Sequence, residues 1–206
     1  MLSNLRQCAI LNASQAMCAF TLLLASAATA QTSHPDEQDA FWASLETLCG
    51  QAFAGELSVY DPESDAGWIG QPMQIHFREC SPNEIKVPLV VGDNRSRTWV
   101  ITRSDHGLAL KHDHRHEDGS EDVVTWYGGK TTDAGRTWRQ AFAVDDYSKS
   151  LFFAEGLDVS AQNIWYMEVH PGKTFAYGLT RPNRHFRAEF DLTEAIEPPP
   201  APWGAQ

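Results

Sequence analysis

Positive charge is scarce in this chain. Its 206 residues carry 16 Lys and Arg against 27 Asp and Glu, a formal net charge of −11 with histidine neutral. Nucleic acid and anionic membrane surfaces both require a basic face, so neither is an expected partner. Long apolar runs are missing too, apart from one near the N-terminus, so the rest of the chain holds no candidate membrane span. Cysteine is sparse, with four residues in all. No recognised nucleophile motif is present, and neither TLCGQ nor RECSP suggests a cysteine nucleophile with a histidine base. An enzyme is therefore the lowest-ranked of the functions considered below.

The N-terminal apolar run reads as an export signal over residues 1–30. Arg6 supplies the positive n-region, AMCAFTLLLASA is an apolar core too short to span a bilayer, and Ala28 and Ala30 are the small residues before a cleavage site at Gln31. A short membrane anchor is the alternative. A lipoprotein fits less well, because Cys18 follows QAM rather than a small-residue context. The expected mature chain is soluble, periplasmic or secreted, and more acidic than the precursor, since Arg6 is lost. Cys8 and Cys18 leave with the signal, so Cys49 and Cys80 remain as an even pair in an oxidising compartment. A Cys49–Cys80 disulfide is expected, stabilising the fold by about 3–4 kcal/mol on the chain-entropy account.

The remainder reads as one helix followed by strands. DEQDAFWASLETLCG places Phe41, Trp42, Leu45 and Leu48 at helical spacing, with acids at its start and Gly50 as its end. Period two then takes over in AFAGELSVY, MQIHFREC, EIKVPLVV, RTWVITR, LALKHDH, DVVTWYGG, TWRQAFAV, NIWYMEVH, TFAYGLTR and HFRAEFDL. Turn residues separate these segments, and a short helix, VDDYSKSLFF, interrupts them. The predicted fold class is all-β: an antiparallel up-and-down barrel of about ten strands with a short N-terminal helix. A two-sheet sandwich is the alternative closure. One domain is expected over residues 31–196, and the Pro-rich tail 197–206 is expected to be disordered.

The number and spacing of these strands resemble the calycin group, the lipocalins and fatty-acid-binding-type barrels, over residues 52–192. The resemblance implies a barrel architecture able to hold one small ligand. The lipocalin Gly-x-Trp signature is absent from the first strand, and AGWIGQ falls in a loop. TTDAGRTW, residues 131–138, is similar to the Asp-box of sialidase propellers. There the motif repeats; here it occurs once, which implies a hairpin device with the Asp capping amides and the Trp packed beneath.

KHDHRHEDGSED, residues 111–122, is the most unusual stretch. A loop at Asp105-His106-Gly107 and a turn at Asp118-Gly119 make it part of two hairpins. The register that follows pairs Ser104 with Leu108, Val100 with His112, His112 with Thr125 and Leu110 with Tyr127. Val100, Thr102, Leu108, Leu110, His112, His114, Val123, Thr125 and Tyr127 then share the inner face. Arg97, Trp99, Ile101, Arg103, Lys111, Asp113, Arg115, Val124 and Trp126 share the outer one. Two imidazoles at i and i+2 lie about 7 Å apart at Cα. That spacing lets both converge on one zinc or copper ion. Candidate third ligands are His76, His170 and Glu168. The competing reading is a hydrogen-bonded polar layer.

A turn at Pro182-Asn183 pairs Leu179 with Phe186, Tyr177 with Ala188 and Phe175 with Phe190, which makes an aromatic inner face. For NIWYMEVH two registers remain open, one turning Glu168 inward and the other turning Trp165, Met167 and Val169 inward. The favoured function is an exported small-molecule-binding barrel, its ligand touching His112, His114, Tyr127 and Tyr177, with Glu168 opposite. The alternatives are a zinc- or copper-binding protein through His112 and His114, and an enzyme using interior His and Glu as acid and base.

Overall fold

The computed structural model describes residues 36–205. The export signal, its cleavage site, Cys8 and Cys18 lie outside the described residues. The chain begins with helix α1 (Asp36–Glu46) and continues through β1 (Ala52–Val59), β2 (Met73–His76), β3 (Glu79–Cys80), β4 (Glu84–Val91), β5 (Asn94–Ser104) and β6 (Gly107–His114). Then come β7 (Tyr127–Lys130), β8 (Arg139–Val144), helix α2 (Asp146–Ala154), a 3-10 turn (Asp158–Gln162), β9 (Ile164–His170), β10 (Thr174–Arg181) and β11 (Arg184–Asp191). All pairings are antiparallel. β1 joins β11 on one side and β2 on the other, and β2 joins β4, so ten strands form a closed barrel with β3 as a two-residue side strand. Closure satisfies edges that a sandwich would leave open.

One end of the barrel is filled. α1 buries Phe41, Trp42 and Leu45 there, and the acids of its first turn suit the positive end of the helix dipole. Arg103, at the end of β5, pairs with Asp39, while Gln38 donates to Thr131 Oγ1 and the Asp133 carbonyl. Phe77 packs edge-on against Phe175, with ring centroids 5.4 Å apart. Gly50 ends the α1 turn with φ +81°, and the adjacent Cys49 is bonded to Cys80 with a Cα–Cα distance of 6.2 Å, fastening the helix to the sheet.

The last hairpin has the expected register, with Leu179 opposite Phe186, Tyr177 opposite Ala188 and Phe175 opposite Phe190. In β9 the open choice resolves against an inward Glu168. Lys173 joins the β9–β10 loop and Thr174 pairs with His170, so Trp165, Met167 and Val169 enter the core.

Two expected registers differ. The β5–β6 loop is Asp105-His106 alone, with Gly107 at φ +101° paired to Ser104. Trp99 therefore faces His112 and Arg97 faces His114. β6 keeps its expected faces but β5 is reversed: Trp99 and Ile101 are core, while Thr98 and Val100 point outward. The sorting by charge failed because Arg97 and Arg103 are themselves inward, one toward each end of the barrel. At β7, His112 pairs with Tyr127 and Leu110 with Gly129, so the expected pairing slips by two. The Gly128-Gly129 pair explains the slip. A Cβ at Gly128 would lie 1.9 Å from the Leu110 carbonyl oxygen, so only glycine lets the backbones approach there. Residues 122–126 consequently leave the sheet, and Val123 is 66% exposed rather than inward.

The tail also differs from expectation. Ile196 bridges to Ala52, the Arg95 guanidinium donates to the Ala201 carbonyl, and the Trp203 amide donates to the Arg95 carbonyl. Trp203 lines a groove with Pro88, Thr98 and Val100, which explains why outward-facing Val100 is buried. One aromatic anchor orders a segment that proline content alone would leave loose. In the Asp-box-like turn, Asp133 Oδ1 accepts from the Gly135 amide as expected. Trp138 is not beneath it: the ring is partly exposed and stacks on His170, with centroids 5.2 Å apart.

Candidate functional site

The inward faces change character along the barrel. On β5 the series Ile101, Trp99, Arg97 runs away from α1, and on β10 the series Phe175, Tyr177, Leu179, Arg181 does the same. A cavity of about 310 Å³ opens at this far end. Small-molecule pockets occupy roughly 300–1,000 Å³, so the space suits one small ligand. Its walls include Trp99, Trp165 and Tyr127, and its rim is formed by Trp68 of the β1–β2 loop together with Phe152 and Leu157 of the α2 region.

His112 lies at the base of the polar wall and is 3% exposed. Its Nδ1 is 3.1 Å from the Tyr127 carbonyl oxygen, which can only accept, so Nδ1 carries the proton. Nε2 is then the acceptor, and the Tyr177 hydroxyl donates to it at 2.7 Å. The Tyr127 hydroxyl is 3.2 Å from His114 Nε2. The His112 and Tyr127 rings stack with centroids 4.6 Å apart, and Trp99 stacks on Tyr177 at 4.3 Å. Burial pushes His112 down to about 3, with the neighbouring His114 adding to the effect. Burial and the nearby Arg97 push His114 down to about 4. Burial raises Tyr127 to about 12 and Tyr177 well above its ordinary value. At neutral pH the network is therefore uncharged.

Charge enters the pocket from arginine. Arg184 forms an ion pair with Asp65, which ties the β1–β2 loop to the β10–β11 hairpin. Arg181 donates to Asn163 Oδ1 at 3.1 Å. Arg97 lies over the Trp68 ring, 4.8 Å from its centroid, and donates to Asn94 Oδ1 and Ser96 Oγ.

Of the residues singled out in the sequence, His112, His114, Tyr127 and Tyr177 meet at this cavity. Glu168 does not. It sits on the outer face of β9, where Arg139 donates to Oε1 at 2.9 Å and Arg187 to Oε2 at 2.8 Å. Burial opposes its charge, yet the Arg187 hydrogen bond and the surrounding guanidinium groups prevail and hold the carboxyl below its ordinary value. The interior His–Glu acid–base pair is thus not assembled. His170 is beside Glu168 and Trp138, and His76 is on β2; neither lines the cavity. Among the described residues no three His, Cys, Asp or Glu side chains gather in a metal-binding arrangement. Both His112 nitrogens are already engaged.

Sequence reasoning missed Arg97, Arg181, Arg184, Asp65 and Trp68. Arg97 was detectable through parity, since it shares a strand face with Trp99 and Ile101. Trp68 and Asp65 sit in a loop whose fold-back has no periodic signal.

Together, fold and site define a class: a closed antiparallel barrel, plugged at one end and open at the other into a pocket of ligand size. Comparison with protein-family models, curated proteins and solved structures finds no match for the chain.

Proposed function

We propose that the protein is an exported, calycin-like barrel that binds a small molecule in the aromatic pocket beside His112, His114, Tyr127 and Tyr177. The observation that carries this reading is the aromatic-walled cavity of about 310 Å³ at the unplugged end, with its hydrogen-bonding groups already ordered. Export is supported by the export-type pattern of residues 1–30 and by the Cys49–Cys80 disulfide, a bond favoured in oxidising compartments. Preformed partners on both His112 nitrogens favour an orienting role for the imidazole over a metal-ligating one.

Trp68, Trp99 and Trp165 line the pocket, so their fluorescence reports occupancy. Titration with naphthol and naphthalene derivatives is expected to give saturable, one-to-one quenching. Leu179→Trp, which fills the pocket from its wall, is expected to abolish the quenching without unfolding the barrel. Absence of saturable binding across the panel rejects the reading.

A further inference from the structure

We infer that the pocket selects a planar molecule bearing one carboxylate, and that Arg97, with Arg181 alongside, receives that group. The inference rests on the binding reading above and specifies its ligand class. The charge balance inside the pocket runs opposite to that of the chain. Arg184 and Asp65 neutralise each other as an ion pair, which leaves Arg97 and Arg181 facing one further lining carboxylate, Asp122. Around them is a protein of net charge −11.

Arg97 is the telling residue. Among the described residues no carboxylate lies within ion-pair distance of it; its partners are the neutral Asn94 and Ser96. A largely buried guanidinium without a counter-ion is costly, and a bound anion removes that cost. The histidines beside it add no charge, because His112 is bonded to Tyr177 and His114 to Tyr127 in neutral pairs, and among the described residues Asp122 is the one lining carboxylate outside the Arg184–Asp65 pair. The walls set the shape of the rest of the molecule. Tyr177 lies flat on Trp99 and His112 lies flat on Tyr127, so the pocket presents ring faces and edges to a ring-bearing body. A guanidinium fork matches a carboxylate in geometry as well as charge.

The experiment compares naphthoate with naphthamide on the wild-type chain by tryptophan fluorescence and calorimetry. These probes share shape and differ in charge. Naphthoate is expected to bind at least about tenfold more tightly, the scale of one charge-assisted contact. Arg97→Gln is expected to erase most of that preference, bringing the ratio of the two affinities to within about twofold of unity. Arg97→Lys, which keeps the charge but loses the fork, is expected to fall between the two. Equal affinity for both probes in the wild type overturns the inference and leaves the binding pocket standing. Failure of both probes to bind overturns the inference and the pocket reading together. A preference for naphthoate that survives in Arg97→Gln overturns the assignment to Arg97. The wild-type comparison decides the charge question even if the Arg97 variants do not fold.

Discussion

Tyr177 and His112, 65 residues apart in sequence, meet across the barrel through a 2.7 Å hydrogen bond. The bond joins β10 to β6, strands that do not pair. It also sets the imidazole tautomer, because the other ring nitrogen donates to the Tyr127 carbonyl.

Tyr177→Phe keeps the ring that stacks on Trp99 but leaves the buried His112 Nε2 without its donor. An unsatisfied buried acceptor costs about 1–3 kcal/mol. Urea denaturation of wild type and variant measures the loss. A change below about 0.5 kcal/mol, the scale of ordinary surface substitutions, shows that the bond contributes nothing to stability.

The neutral histidines give stability a pH dependence. Unfolded, each titrates near its ordinary 6.5, whereas in the fold burial holds His112 at about 3 and His114 at about 4. Between these values the unfolded chain binds more protons, so stability falls as pH falls through about 6.5 toward 4. Each group costs up to about 1.4 kcal/mol per pH unit across that window. Asp145 and Glu168, both held below their ordinary values, add their own losses only at lower pH. Denaturation midpoints between pH about 7 and 5 therefore report the histidines, half-buried His76 included, since burial and Arg78 hold it too below its ordinary value. His114→Gln is expected to flatten the slope; an unchanged slope removes His114 as its source.

How much of this was legible varies from hairpin to hairpin. The Pro182-Asn183 turn separates aromatic Phe175, Tyr177, Phe186 and Phe190 from polar His185, Arg187 and Glu189, so composition alone reads both register and face. β5 offers no such contrast. Arg97, Trp99, Ile101 and Arg103 alternate with Thr98, Val100 and Thr102, and each set mixes apolar with polar side chains. Burial of Val100 depends on Trp203, which is distant in the chain. Half of the polar wall was readable because His112 and His114 sit where the outer face of their strand carries the charges of Lys111 and Asp113. Of the pocket arginines, Arg97 was readable only through its parity with Trp99 and Ile101, and Arg181 and Arg184 were not, since charge is normally the mark of an outer face.

The Cys49–Cys80 bond closes a sequence separation of 31 residues. Its loss is expected to cost about 3–4 kcal/mol. Mass spectrometry of the exported chain is expected to find an N-terminus at Gln31, and thiol titration without denaturant to find no reactive cysteine. Two reactive thiols, or an intact Met1 in the exported fraction, contradict the disulfide and the export reading respectively.

Removal of residues after Glu197 tests the tail. It strips Trp203 from the groove over Thr98 and Val100 and is expected to cost about 1–3 kcal/mol, the worth of burying one large apolar side chain. A truncated chain as stable as the full one contradicts the anchoring role of Trp203.

Lys111 carries the strongest revision of a sequence-based expectation. As an outward residue of β6 it is expected to tolerate charge reversal, because exposed ion pairs are worth at most about 1 kcal/mol. In the fold its ammonium bonds Asp145 Oδ2 at 2.5 Å, and both side chains are largely shielded. Asp145 is also the N-cap of α2, its other oxygen accepting from the Ser148 amide and hydroxyl. The Ser148 hydroxyl in turn accepts from the Gly128 amide, where α2 meets β7. Lys111 thus holds the first turn of the helix whose Phe152 forms part of the pocket rim. Lys111→Glu sets two carboxylates against each other at that cap and is expected to cost about 1–3 kcal/mol, more than an exposed pair. Leu110→Ala, one residue earlier and wholly buried, is expected to cost about 2–5 kcal/mol. Lys111→Met separates charge from packing: it removes the pair without repulsion, and its loss falls between wild type and Lys111→Glu. If α2 depends on this cap, Lys111→Glu also weakens naphthoate binding while Leu110→Ala chiefly lowers stability. Measuring both properties on the same variants decides the matter, and a Lys111→Glu chain with wild-type stability and affinity refutes the role of the pair.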